Sequence, residues 1–178
     1  MSSNGPVNRA YLALGSNIEP ARNLIEAVRQ LAGFGRVVVV SRVWESEPVG
    51  FADQPNFLNA ALLLETPLSA RDFHLGAIET IERLLHRVRD SNNKNAPRTI
   101  DVDLALFNRE ILRIDHRRIP DPDILTRPFV AIPLAELDPG YVHPEDGRTL
   151  QKIAEGFVGS TPSLKLRRDI RLDGGYPL

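Results

Sequence analysis

An α+β domain, with a mainly antiparallel sheet and helices on one face, is the fold class this sequence predicts. Three observations carry it. Stretches rich in alternating or β-branched apolar residues interleave with stretches of helical spacing, in the order strand, helix, strand, strand, helix, strand. Gly, Pro and Asn punctuate the joins. The chain has 178 residues, 42% of them hydrophobic, enough for one full core. That order is the split β-α-β sandwich of ferredoxin-like domains, where the sheet face away from the helices is left for a ligand. We read residues 1–178 as one domain, with a core over about 7–160 and a tail over 164–178.

Val7 to Leu14 is the first strand, ended by the turn signal Gly15-Ser16-Asn17. Pro20 opens a helix whose stripe is Leu24, Ala27, Val28, Leu31 and Ala32, and Gly33 and Gly35 stop it. Arg36 to Glu45 is a β-branched second strand. Residues 46–56 form a long loop with two prolines, a length that within a compact domain points to function. Phe57 to Thr66 is the third strand. Ser69 caps a helix running to about Arg87, with Phe73, Ala77, Ile81, Leu84 and Leu85 on its apolar face. Residues 89–96 are polar and read as a mobile loop. After the strand at 97–107, Asn108 turns the chain and Glu110 to Ile114 returns as a short strand. Ile124 to Leu137 is a helix despite Pro128 and Pro133, and Thr149 to Phe157 a short one.

The strand Pro97-Arg98-Thr99-Ile100-Asp101-Val102-Asp103-Leu104-Ala105-Leu106-Phe107 carries the chemistry. Alternation sends Ile100, Val102, Leu104 and Leu106 into a core. Thr99, Asp101 and Asp103 face the other way, with Ala105 and Phe107 beyond them. The two carboxylates then lie about 7 Å apart at their Cα atoms, from the rise of a strand. Each raises the other's pKa, and a divalent cation relieves that repulsion. Hard oxygen ligands suit Mg²⁺, held by one or two carboxylates plus substrate phosphates. Arg83, Arg87, Arg89 and Arg98 lie close by in sequence. Acid with clustered arginine is the composition of a phosphoryl-transfer site.

Composition excludes other classes. Net charge is −1, which does not suggest a polyanionic partner. Cysteine is absent, so disulfides and thiolate chemistry are excluded. Met1 to Pro6 has no charged or apolar leader character, and the longest apolar runs, such as Ala60 to Leu64, are too short to span a bilayer. A cytoplasmic protein without membrane or nucleic-acid partner is expected. No Gly-x-x-x-x-Gly-Lys-Ser/Thr occurs, so phosphate chemistry must rest on side chains and metal.

Several stretches in order resemble one family, the 6-hydroxymethyl-7,8-dihydropterin pyrophosphokinases of folate biosynthesis. They are Leu12-Ala13-Leu14-Gly15-Ser16-Asn17, Glu47-Pro48-Val49-Gly50, Asp53 to Ala60, Glu79 to Arg89, and Pro97 to Asp103. The resemblance runs from about Ala10 to Gly147. It implies transfer of pyrophosphate from ATP, as co-substrate, to the pterin hydroxymethyl group with release of AMP. It implies that Asp101 and Asp103 hold Mg²⁺, two ions in the family, and that Arg87 and Arg98 join them in catalysis. It implies an ATP-binding set of Leu75, Glu82, Arg87, Arg89, Arg98, Leu104 and Arg127. The implied pterin set is Ser46, Glu47, Val49, Phe57, Asn59, Asp101 and Phe129, with the two phenylalanines stacking on the ring. A monomer with small-molecule substrates is expected.

The departures fall on the ATP side. Asn95-Ala96 stands where the family usually has Trp-Gly, and Asp121 stands where a histidine usually follows the proline. Pro128 replaces a residue that is commonly small, and the 89–96 loop is one residue longer. An aspartate at 121 repels phosphate. An alternative is therefore a pterin-binding paralogue with an eroded ATP site or another acceptor. An RNA-binding split β-α-β module is disfavoured, because the strand aromatics and basic face it needs are missing.

Overall fold

A computed structural model describes residues 6–159 and 164–173. The expectations for residues 1–5, and for the Gly174–Leu178 end of the tail, lie outside the described residues. The elements run β1 (Asn8–Ser16), α1 (Pro20–Leu31), β2 (Arg36–Val40), β3 (Val43–Ser46), β4 (Phe57–Thr66), α2 (Ala70–Asp72), a π-helical segment (Phe73–Ile78), α3 (Glu79–Leu84) and β5 (Asp101–Phe107). Then come β6 (Leu112–Ile114), β7 (Arg117–Ile119), a 3-10 turn (Pro122–Leu125), α4 (Pro128–Leu137), α5 (Leu150–Glu155) and β8 (Lys165–Arg167).

The sheet order among the described residues is β5-β1-β4-β3-β8, all neighbours antiparallel, with β2 also paired to β4. This is the α+β, ferredoxin-like arrangement the sequence predicts. The predicted strand at 36–45 is present but breaks after Val40. Ser41 Oγ accepts the Ala61 N–H at 2.8 Å, covering the break, and β3 continues along β4.

One face of the sheet packs against α1 and α2–α3 through Leu12, Leu24, Val28, Leu62, Phe73, Ile81, Ile100 and Val102. The opposite face is only partly free. Its other end is covered by α4 and α5, where Tyr11, Leu63, Leu106, Leu134 and Leu150 form a second core. Pro133 sits within α4 without breaking it, and that helix is apolar all round because it is buried between sheet and α5.

Strand alternation also needs one correction. The β1–β5 register shifts between Tyr11 and Leu12. Up to Leu104 the predicted faces hold. Past the shift, Leu106 joins the α4 side with Ala105, and Phe107 turns to the helix side. An irregularity of this kind inverts the period.

The predicted helix over 69–87 contains a π segment and stops at Leu84. The predicted helix over 124–137 is a 3-10 turn followed by α4, and the strand expected from Glu110 begins at Leu112. It pairs with β7 rather than the main sheet. β8, within the stretch read as a tail, adds an edge strand beside β3.

Candidate active site

The site begins with a row of small residues on the open sheet face. Asp101 lies opposite Gly15, Gly15 opposite Asn59, and Asn59 opposite Trp44. One row along, Asp103 lies opposite Ala13. A Cβ on Gly15 would stand 3.6 Å from Asn59 Oδ1 and 4.0 Å from the Asp101 Cβ. Gly15 and Ala13 thus make a floor between a carboxylate edge and an amide edge. Above it is a cavity of about 200 Å³, lined among others by Phe57, Asn59, Asp101, Asp103 and Phe129.

At the amide edge, Asn59 is 5% exposed. Its Nδ2 donates to Ser46 Oγ at 2.8 Å and to the Trp44 carbonyl at 3.2 Å. Both amide protons are therefore engaged, and Oδ1 is left over the floor as an acceptor. Phe57 and Phe129 line the same cavity with Ser46, Glu47 and Val49. Val49 and Phe51 are apolar and exposed, on the long loop after β3.

The carboxylate edge is held by arginines, and local chain geometry explains how they reach it. His86 takes a left-handed conformation, φ 56°. The His86 N–H donates to the Arg83 carbonyl at 3.1 Å and the Arg87 N–H to the Glu82 carbonyl at 2.9 Å. This is a Schellman-type stop with histidine in the place glycine usually takes. It ends the helix early and folds Arg87 back over its last turn. Arg87 Nη1 then donates to Glu82 Oε1 at 3.0 Å, to the Ile100 carbonyl at 3.0 Å, and to Asp101. Arg89 donates to the other Glu82 oxygen at 2.6 Å, and Arg98 to Asp101 Oδ2 at 2.8 Å. Glu82, in the implied ATP-binding set, is 5% exposed and orients both Arg87 and Arg89.

The two aspartates titrate in opposite directions. Burial pushes Asp101 up, but the Arg87 and Arg98 guanidiniums hold its carboxyl below the ordinary range. Burial and then the Asp101 charge push Asp103 up to about 7, against the pull of Arg117. Asp121, on the same cavity, is also raised, mainly by burial. An acid driven up by a neighbouring carboxylate is the electrostatic signature of a place that would accept a cation. The donor set suits Mg²⁺ with phosphate or water completing its shell. Among the described residues no cluster of three or more metal-ligating side chains exists, so the chain itself offers Asp101 and Asp103.

The loops are tied at Asn17, which sequence reading took as a turn. Its Oδ1 accepts the Arg98 N–H at 2.8 Å, while its Nδ2 donates to Gln54 Oε1 at 2.8 Å and the Pro55 carbonyl at 3.0 Å. Gln54 Nε2 donates to the Asn95 carbonyl at 2.8 Å. Gly50, at φ 87°, lies so close to Asn95 that a Cβ there would run into the Asn95 side-chain amide. The 46–56 and 89–96 loops therefore meet over the cavity. Arg98 lies over the Phe57 ring, 5.7 Å from its centroid, and so bridges the two edges.

Of the predicted site residues, Ser46, Glu47, Val49, Phe57, Asn59, Arg98, Asp101, Asp103, Arg127 and Phe129 line one cavity. Glu82 and Arg87 stand behind Asp101, and Arg89 is mostly exposed. Leu75 is exposed on the π segment and Leu104 is buried in the helix-side core. Sequence reading missed Arg117, whose Nη1 donates to Asp103 from β7. No motif marks that arginine; it stands beside Asp103 only because the β6–β7 hairpin folds along the sheet edge.

Comparisons with known proteins show the family of the chain. The family model described as 7,8-dihydro-6-hydroxymethylpterin-pyrophosphokinase matches residues 11–139. A 2-amino-4-hydroxy-6-hydroxymethyldihydropteridine pyrophosphokinase of Pseudomonas aeruginosa is 39% identical over 152 residues, covering 83% of this chain and 90% of that protein. The protein of the same name from Bacillus subtilis is 40% identical, over 73% of this chain and 78% of its own length. A crystal structure of Plasmodium falciparum HPPK-DHPS, with pterin and p-hydroxybenzoate, superposes with a TM-score of 0.69 at 15% identity. It covers 93% of this chain, which spans about half of that longer protein (47%), and it speaks to the fold alone. The chain belongs to the 7,8-dihydro-6-hydroxymethylpterin-pyrophosphokinase family.

Proposed function

We propose that the two edges of this cavity are the two substrate sites of one reaction: transfer of pyrophosphate from ATP to the hydroxymethyl group of 6-hydroxymethyl-7,8-dihydropterin, releasing AMP. The chain is a diphosphokinase of folate synthesis by its family. The observation that carries the assignment of roles is the row Asp101–Gly15–Asn59, which sets an acceptor for a ring N–H beside a carboxylate edge rich in arginine.

The pterin lies between Phe57 and Phe129, with a ring N–H donated to Asn59 Oδ1 and the long loop's Ser46, Glu47 and Val49 around it. This points the hydroxymethyl group toward Asp101. Arg87, Arg89 and Arg98 bind the ATP phosphates, and Arg127 and Glu82 complete that end by contact and by orientation. Leu75 serves the nucleoside through its exposed side chain, and Leu104, whose side chain is shut in the helix-side core, only through its backbone. Magnesium, as two ions, would be held by Asp101 and Asp103 and would supply charge neutralisation along the triphosphate. The hydroxymethyl oxygen forms a bond to the β-phosphorus as the bond to the AMP oxygen breaks, and the hydroxyl proton passes to a carboxylate of the Asp101–Asp103 pair. Arg87 and Arg98 stabilise the charge that develops, and the 89–96 loop closes to exclude water.

The same proposal treats residues 1–178 as one domain, acting as a cytoplasmic monomer on small molecules. No helix among the described residues is long and apolar enough to cross a membrane.

Calorimetry with the pterin, and separately with Mg²⁺ and α,β-methylene-ATP, tests the two-ended cavity. Asn59→Ala is expected to lose pterin binding and keep the nucleotide analogue. Arg89→Ala, which changes a mostly exposed side chain, is expected to weaken the analogue and keep the pterin. Loss of the same ligand in both variants would contradict the assignment.

A further inference from the structure

Arg117 is the arginine that the reaction as described does not use. It lies at the start of β7, opposite Ile114 across a two-residue turn, Asp115-His116. Ile119, two residues on, is 2% exposed in the helix-side core. Strand alternation puts Arg117 on the same side as that anchor, toward β5. Its Nη1 donates to Asp103 Oδ1, while the pair stays about a quarter exposed, with side-chain exposures of 25% and 27%. Arg71 on α2 pairs with Asp115 in the turn at 3.5 Å, fixing the hairpin beside the site.

Each candidate metal ligand is thus already paired with guanidinium. Asp101 carries Arg87 and Arg98, and Asp103 carries Arg117. The charge of Arg117 is also felt at Asp101, Glu82 and Asp121. In formal charge, the carboxylates of Glu82, Asp101, Asp103 and Asp121 are cancelled by Arg87, Arg89, Arg98 and Arg117. A bare divalent cation entering this cluster would meet Arg117 at Asp103 and would leave two positive charges uncompensated. A cation arriving with a triphosphate brings the anion that Arg117 needs once Asp103 is taken.

We propose that Arg117 is a phosphate-binding residue held on Asp103 until metal and nucleotide arrive together, so that the metal ion alone is kept off Asp103. This rests on the reading of the cavity as a site for Mg²⁺ and ATP. It gives Asp121 a counterpart: where that aspartate adds negative charge to the phosphate end, Arg117 adds positive charge from the hairpin beside it.

The test is two titrations on the folded protein, with Arg117→Gln and Arg117→Lys beside the unaltered chain. Mn²⁺ alone, followed by electron paramagnetic resonance, reads metal binding. Mg²⁺ with α,β-methylene-ATP, followed by calorimetry, reads nucleotide binding. Arg117→Gln is expected to bind Mn²⁺ alone more tightly and the Mg²⁺–analogue complex about 10- to 100-fold more weakly, the range of one charge-assisted hydrogen bond. Arg117→Lys, which keeps the charge and loses the planar fork, is expected to fall between, and it carries the test if the glutamine variant fails to fold. Analogue affinity in the folded variants equal to or tighter than that of the unaltered chain would overturn the proposal. So would Mn²⁺ affinity that does not rise in Arg117→Gln. Failure of the unaltered chain to bind the Mg²⁺–analogue complex would instead overturn the site reading on which the proposal rests.

Discussion

Replacing Gly15 by alanine separates the fold from the acceptor site. Gly15 is not in the left-handed region, so alanine fits its backbone. The new methyl carbon would stand 3.6 Å from Asn59 Oδ1 and 4.0 Å from the Asp101 Cβ, both ordinary contacts. The fold should therefore accept it, and even gain about 0.5–1 kcal/mol, the usual cost of glycine within a regular element. The ligand should not accept it. The methyl rises from the floor of a cavity of about 200 Å³, between the acceptor oxygen and the carboxylate. Overpacking of that kind costs about 1–3 kcal/mol, or about 5- to 150-fold in Kd. Pterin fluorescence titration reads the affinity, and a thermal melt reads the fold. A melting temperature equal to or above that of the parent, with pterin Kd raised at least about fivefold, is the expected pair. Pterin Kd unchanged in a stable Gly15→Ala protein would refute the placement of the ring over the Asp101–Gly15–Asn59 row.

Other predictions follow from the charged edge. Asp103 is raised from 3.8 to about 7 by burial and by Asp101. A raised acid favours the folded state while protonated, so its contribution is present at low pH and is lost as pH rises through about 7. Metal must displace that proton, so Mg²⁺–nucleotide affinity should fall about tenfold per pH unit below 7 and level off above it; a flat profile from pH 5 to 8 in calorimetry would contradict this. Glu82→Gln removes the carboxylate shared by Arg87 and Arg89, with Glu82 and Arg87 side chains only 6% and 10% exposed. Breaking such a pair should cost about 3 kcal/mol in urea unfolding, and a loss under 1 kcal/mol on the same scale would count against the bridging role. Asp121→His should tighten ATP binding by removing a charge that repels phosphate. It should also cost the fold about 1 kcal/mol, because Asp121 Oδ1 accepts the Asp123 N–H at 2.9 Å as the cap of the 3-10 turn. Calorimetry and a melt check the two signs, and weaker ATP binding would reverse the first.

The parts of the site legible in the sequence were those encoded by spacing within one segment. Asp101 and Asp103 share a face because a strand has period two, and they stay on it because the register shift comes later in β5. Asn59 and Phe57, on β4, were marked only by the resemblance of the Asp53 to Ala60 stretch to the family, not by spacing. Contacts that depend on where separate segments meet were not readable. Nothing in the sequence around Arg117 and Arg118 marks a site, yet the hairpin puts Arg117 on Asp103 and Arg118 on Glu145. Helical periodicity ran through His86 without a break, because a left-handed histidine leaves no signal comparable to glycine. That local stop is nevertheless what aims Arg87 at Asp101. The apolar stretch at 128–137 was read as a helix, but its period alone could not say which sheet face it would cover.

The central claim is that pyrophosphate, not a single phosphate, passes from ATP to a pterin held over the same floor as Asp101. The most direct measurement is the ratio of AMP to ADP formed from ATP, with and without 6-hydroxymethyl-7,8-dihydropterin, in Mg²⁺ and then in chelator, with Asp101→Asn beside the unaltered chain. AMP formed in step with pterin pyrophosphate, only with pterin and Mg²⁺ present and lost in the variant, is the predicted result. ADP as the nucleotide product, or AMP release independent of pterin or undiminished in Asp101→Asn, would contradict the account.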